Sequence, residues 1–343
     1  MKNLYLYLGL GALLVVIVGY GLSGSKPEAV TSDLVPVRIG YNAGSIGNAS
    51  VIVALEKGYF EDRGISPQPL ALKSGSEIAQ ALAAGQVDFG IGGFANLMTL
   101  LSKGAPFRII TASSSAPSYL FVRPNGELNR LTDLYGKNMV SGGTSGLSFR
   151  MAMKELGLDA DQVNMSDLDR SYQVIALMEK KAVDAIMVSE QDVAAFGKAG
   201  AVVLPEWEEE GYSSRFIPRN SYAVRMEFLD QNEDVVGSLL MALADAHRLI
   251  KSDPGEAARV LSEHISRMSD GAVVRSAEEI VRGWQYKEIL NTVWQDPTVT
   301  MELIDMAAET GMIDRPLSIE EVFDLRFASE LATLQDEIYG SEN

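Results

Sequence analysis

Five short stretches carry the residue types that could hold a small polar solute. They are Tyr41 and Asn42; Ser74, Gly75 and Ser76; Gly93, Phe94 and Asn96; Gly143, Thr144 and Ser145; and Ser189 with Glu190. Two further candidates, Ser114 and Tyr222, stand in short polar or aromatic segments. Serine, threonine and glycine at a helix start offer hydroxyl and backbone N–H donors, which suit a sulfonate, carboxylate or phosphate-like oxygen. Each helix end contributes about 0.3–1 kcal/mol, and each hydrogen bond to a charged group about 1.5–3 kcal/mol. A few of these reach micromolar affinity, roughly 8 kcal/mol. Glu190 would repel an anion, so it is expected to meet a cationic or N–H-bearing part of the ligand. Tyr41, Phe94 and Tyr222 could stack on a ring or pack an alkyl chain, or equally serve the core.

Catalytic arrangements are poorly supported. The two histidines, His247 and His264, stand on separate helical stretches without a ligand partner four residues on, and solvated surface positions are expected for both. Gly143-Thr144-Ser145-Gly146 lacks the spacing of a nucleophile elbow. Gly40, Gly44 and Gly47 do not form a dinucleotide fingerprint, and no phosphate-binding P-loop occurs. No cofactor or metal is called for. Asp167-Leu168-Asp169 is expected to be a capped turn, and Glu206 to Glu210 a solvated loop.

The positioning elements come in two matching sets. Ser74 opens a helix, Glu77 stands in its first turn, and Val87-Asp88-Phe89-Gly90-Ile91 reads as a brief strand leading to a Gly92-Gly93 loop. Val174 to Ser189 repeats the order, with Asp184 in the place of Asp88. Upstream, Val37 to Gly40 and Asn138 to Val140 each lead through a Gly/Ser-rich turn into a helix. Two α/β halves with polar turns at their strand ends imply a cleft between them.

Composition narrows the class. The 343 residues have room for two such lobes, and 47% hydrophobic content is that of a folded chain. The absence of cysteine excludes disulfides, thiolate metal sites and a lipid-bearing cysteine. A net charge of −17 argues against nucleic acid. Leu4 to Leu22 is an uninterrupted run of 19 residues without charge, expected to be a signal peptide or membrane anchor within residues 1–25. Residues 26–35 are expected to form a polar linker. Ser113 to Ser118 reads as a polar crossing between lobes, and Pro218 to Val224 as the return. Helices follow from Asp230, at Asp253-Pro254, and over 277–290, 298–310 and 318–334.

Ala54 to Phe60, Gly64-Ile65, Ser74 to Ser76 and Ala83 to Gly90 together resemble the substrate-binding proteins of ABC importers, in the aliphatic sulfonate, taurine, nitrate and thiamine-precursor group. The resemblance spans Val37 to about Val224. It implies an α/β type II periplasmic-binding-protein fold, with residues 36–117 and 220–343 in lobe one, 118–219 in lobe two, and two hinge strands between. It also implies an exported receptor partnered by ABC permease and ATPase subunits, since this chain has no P-loop of its own. An enzyme of the thiamine-pyrimidine type on the same fold, or a ligand sensor for a membrane partner, are the alternatives.

Overall fold

The computed structural model describes residues 34–340, apart from 125–126, 142, 167–170, 215–216, 270–274 and 286–296. The expected N-terminal membrane segment, nearly all of the linker, the 167–169 turn and the end of the 277–290 helix therefore lie outside the described residues.

The first sheet is built from β1 (Val35–Asn42), β2 (Ile65–Leu72), β3 (Phe89–Gly93), β4 (Phe107–Ala116) and β10 (Ile217–Arg225), in the order β2-β1-β3-β10-β4. The second holds β5 (Ser118–Val122), β6 (Asn138–Val140), β7 (Asn164–Ser166), β8 (Ala185–Ser189) and β9 (Val202–Val203), in the order β7-β6-β8-β5-β9. The two orders are equivalent. In each, a strand arriving from the other sheet, β10 or β5, runs antiparallel between its third strand and its last.

The duplicated Val-Asp has one physical role in both sheets. Asp88 accepts the backbone N–H of Arg38 in β1 at 3.1 Å, and Asp184 accepts that of Asn138 in β6 at 3.0 Å. Each also pairs with an arginine just inside or just past the antiparallel strand, Arg225 at 4.0 Å from Asp88 and Arg123 against Asp184. The carboxylate pins the start of the third strand to the first and neutralises a cation that would otherwise be only partly solvated.

Helices cover both faces. On sheet one, Val37, Ile39 and Tyr41 alternate inward against α1 (Ala49–Lys57), α9 (Glu233–Ser252), α10 (Pro254–Met268) and α14 (Ala328–Tyr339). The opposite face packs on α2 (Gly75–Ala83), α3 (Phe94–Ser102) and α12 (Thr298–Glu309). Sheet two lies between a layer with α4 (Gly143–Glu155) and α7 (Pro205–Glu209), and another with α5 (Ser171–Glu179) and α6 (Glu190–Lys198). α4 also reaches across, because Leu147 and Met151 are buried in the cluster formed by α2, α3 and α12.

Several sequence expectations need correction. Gly92-Gly93 is not a loop: β3 runs to Gly93, which is also the N-cap of α3. The crossing expected over Ser113 to Ser118 narrows to Pro117, because β4 keeps its ladder with β10 as far as Ala116 opposite Ile217 and β5 of the second sheet starts at Ser118. Glu206 to Glu210 is not a solvated loop. All but Glu210 belongs to α7, whose Trp207 is fully buried and donates its indole N–H to the Ser118 carbonyl at 2.9 Å, while Glu206 accepts the Leu131 N–H. One buried indole outweighs four exposed or half-exposed carboxylates there. The 318–334 helix divides into Ile319–Val322 and Ala328–Tyr339.

The histidines are corrected too. His247 is 0% and His264 3% exposed. His247 lies 3.2 Å from the Tyr222 hydroxyl and 2.7 Å from that of Tyr339. His264 lies 3.3 Å from the Tyr41 hydroxyl and 2.7 Å from Glu56. Internal hydroxyl and carboxylate partners make burial of an imidazole tolerable.

Candidate ligand site

Three helix starts meet at the carboxyl ends of the strands. At α2, Ser74 Oγ accepts the Glu77 N–H at 3.2 Å, and the Glu77 carboxylate accepts the Lys73 N–H at 2.9 Å. This reciprocal cap leaves the N–H groups of Gly75 and Ser76 at the open end of the helix. At α3, Gly93 supplies no side-chain cap, so the first turn, Phe94 to Asn96, keeps its donors.

Close backbone approach explains the glycines. A β-carbon on Gly75 would stand 2.7 Å from the Gly93 nitrogen and 3.6 Å from Asn96 Nδ2. The α2 and α3 starts are therefore in direct contact, with the Asn96 amide over the seam. From the other lobe, a β-carbon on Gly143 would lie 4.0 Å from Ala95 Cβ, so the first turn of α4 meets the first turn of α3. Among the described residues, the side chains of Asn96 and Thr144 have no hydrogen-bond partner, although Thr144 is only 6% exposed.

A cation missed by sequence reasoning joins this group. Arg219 of β10 donates from Nη1 to Ser145 Oγ at 2.5 Å, and from Nη2 to the Pro117 carbonyl at 2.7 Å and Ser118 Oγ at 2.8 Å. It spans the outgoing connection, the returning strand and the first turn of α4. The available signal was a lone arginine inside the expected return strand, Pro218-Arg219-Asn220.

The other candidates take different places. Asn42 stitches its loop together, donating to the Lys73 carbonyl at 3.0 Å and accepting the Gly44 N–H at 3.0 Å. Tyr41, Phe94 and Tyr222 are buried to 3% or less exposure. Tyr41 and Tyr222 turn into the core beneath the strands, where the Tyr222 hydroxyl meets Ser50 Oγ at 2.6 Å and burial pushes its pKa up. Ser114 pairs with Asn220 in the ladder, Ser189 ends β8 and Glu190 opens α6. The side chains of these three lie outside the described ones. No cluster of three or more His, Asp or Glu side chains able to hold a metal occurs among the described residues.

Two α/β lobes of equivalent topology, linked by the paired strands β4 and β10 and meeting at helix starts, make this a periplasmic-binding-protein fold. The chain belongs to the NMT1/THI5-like family, whose model matches residues 46–257. It is 26% identical over 245 residues to a Brucella abortus (strain 2308) protein named as a binding protein, covering 70% of this chain and 74% of that one. The fold is similar to that of the periplasmic aliphatic sulphonate binding protein SsuA from Escherichia coli, with a TM-score of 0.66, 17% identity, and coverage of 84% of this chain and 92% of that one. It is likewise similar to the periplasmic nitrate-binding protein NrtA from Synechocystis PCC 6803, with a TM-score of 0.64, 16% identity, and coverage of 90% and 92%. The resemblance to substrate-binding proteins of ABC importers holds at the level of family and fold.

Proposed function

We propose that this chain is an extracytoplasmic solute receptor of an ABC importer, which closes its lobes around a small organic anion or zwitterion of the sulfonate or thiamine-precursor kind. The observation that carries this reading is the meeting of the α2, α3 and α4 starts beside Arg219. Backbone N–H groups at Gly75, Ser76, Phe94 and Ala95 would take the anionic oxygens. The Asn96 amide and Thr144 hydroxyl, which have no internal partner, would complete the shell, and Arg219 would supply the countercharge. Asn42, Ser74 and Gly93 shape the lobe-one wall, and Gly143 and Ser145 the opposite one. Ser114, Ser189 and Glu190 stand at the strand ends nearby, where Glu190 would meet an amine. Tyr41, Phe94 and Tyr222 back the site from the core. The apolar run at residues 4–22 would deliver the receptor across the cytoplasmic membrane, as a signal or an anchor. Permease and ATPase subunits would be separate chains.

A thermal-shift and calorimetric screen of the protein against taurine, longer aliphatic sulfonates, nitrate, bicarbonate and thiamine precursors tests this. A ligand at about 100 times its Kd stabilises by about 2.7 kcal/mol. Binding that disappears in Gly75→Ala and weakens in Arg219→Ala is expected. Failure of the whole panel to bind, or binding indifferent to both substitutions, would overturn the assignment of the site.

A further inference from the structure

The first sheet ends on β2, and its neighbours fix which way the backbone of that strand turns. Arg38 of β1 donates its N–H to the Asp88 carboxylate at 3.1 Å, on the β3 side, while Val35 donates to the carbonyl of Gly64, just before β2, at 2.9 Å. Backbone groups alternate in direction along a strand, so those of Val37, Ile39 and Tyr41 face β2 as Val35 does. In the parallel register, Val37 stands beside Pro67 and Ile39 beside Pro69, which makes Ser66, Gln68 and Leu70 the β2 residues bonded to β1. Ile65, Pro67, Pro69 and Ala71 then turn outward. Ile65 bears this out, since its N–H goes to the Phe60 carbonyl at 3.0 Å and not to β1.

An outer edge of this kind is where another strand would add. Here it offers almost no donors. The Ile65 N–H is taken by its own chain, Pro67 and Pro69 have none, and Ala71 alone keeps one without an acceptor among the described residues. In other respects the strand would suit a partner: Gln68, Pro69, Leu70 and Ala71 are all exposed, Leu70 to 38%. The opposite edge strand, β4, is covered beside Ile109 by the chain itself, where Phe323 bridges Ile109 and Asp324 donates its N–H to the Ile109 carbonyl at 2.9 Å. Among the described residues no strand pairs with the outer side of β2. β2 ends at Leu72 and Ser74 caps α2, so a strand added there would run up to the lip of the candidate ligand site.

We propose that Pro67 and Pro69 are a backbone block that keeps two copies of this chain from joining edge to edge through β2. Such a joint would be two-fold symmetric, with each β2 antiparallel to the other, and it would need the outward N–H groups at positions 67 and 69. Both prolines of the strand stand on outward positions and neither on an inward one. They remove those donors while leaving the ladder with β1 whole.

Light scattering on the full chain from micromolar to millimolar concentration, joined to amide hydrogen exchange, tests this. Pro67→Val combined with Pro69→Val restores both donors and should self-associate at a concentration at least about tenfold below any association of the parent. Far-UV dichroism should stay unchanged, and exchange should slow at positions 67, 69 and 71. Gln68→Val adds the same apolar, strand-favouring side chain at an inward-bonded position and should stay as monomeric as the parent. Should the double variant fail to fold, Pro69→Val alone, at the exposed position, carries the same expectation. The proposal is overturned if the folded variants remain monomeric throughout, if Gln68→Val associates as strongly as they do, or if association leaves exchange along β2 unaltered.

Discussion

Arg219 Nη1 lies 2.5 Å from Ser145 Oγ and so ties the returning strand β10 to the first turn of α4. The same guanidinium holds the Pro117 carbonyl and Ser118 Oγ on the outgoing connection. One side chain thereby fixes both passages between the lobes and places a permanent positive charge beside the start of α4. Arg219→Ala should lower affinity for an anionic ligand about 10- to 100-fold, the equivalent of about 1.5–3 kcal/mol for a charged hydrogen bond. Arg219→Lys should recover only part of it, since a point charge cannot span three acceptors arranged for a planar fork. Calorimetry on the two variants checks both outcomes.

Gly75 tests the contact between α2 and α3. A β-carbon there would sit 2.7 Å from a backbone nitrogen, and backbone cannot step aside as a side-chain tip can. Gly75→Ala should destabilise by about 1–3 kcal/mol and abolish ligand binding. Gly44→Ala, whose β-carbon would meet its nearest atom at 3.6 Å, should be close to neutral in urea unfolding.

Leu147 is fully buried although its helix belongs to the second sheet, and it packs with lobe one. Leu147→Ala should cost about 2–5 kcal/mol if the two lobes unfold together. A separation into two unfolding transitions in the variant would show that this side chain couples them.

His247 bridges Tyr222 on the hinge strand and Tyr339 on the last helix. His247→Phe replaces the imidazole with an apolar ring and removes the hydrogen bonds to both tyrosines; the Tyr222 hydroxyl keeps Ser50 Oγ, so the expected loss of about 1–3 kcal/mol falls mainly on the bond to Tyr339. Restoration of stability by the added change Tyr339→Phe would assign the loss to that hydrogen bond rather than to packing.

Glu56 carries a pH dependence. Burial alone would raise its pKa, but the hydrogen bond from His264 and the charge of Arg267 together hold it below the ordinary carboxylate range. A lowered folded value means that the ionised group stabilises the fold above the unfolded value of about 4.3. That contribution is lost as pH falls through the lower folded value. Glu56→Gln should therefore lower the melting temperature near neutral pH, and the gap to the parent protein should narrow as pH drops below about 4.

Much of the fold was legible because period-2 and period-3.6 patterns are local. Asp88 and Asp184 announced a repeated unit from sequence alone, since a carboxylate one residue before a strand has the same neighbours to satisfy in each copy. Ser74 with Glu77 announced the α2 start for the same reason: a cap is made within four residues. The errors were of the opposite kind. His247 and His264 read as surface residues, because nothing within a helical turn reveals that Tyr222, Tyr339, Tyr41 and Glu56 arrive from 25 to more than 200 residues away. Trp207 was hidden by the glutamates around it, although its burial decides the segment.

The linear chain on its own determined that two α/β units alternate with glycine- and serine-rich helix starts, because propensity, capping and hydrophobic period act over a few residues. Only the folded chain decided that Gly75 meets Gly93, that Gly143 meets Ala95, that Arg219 holds Ser145, and that α4 buries one face in each lobe. Those relationships join residues more than 100 positions apart, and they arise from how sheets and helices pack rather than from any property a short window of sequence carries.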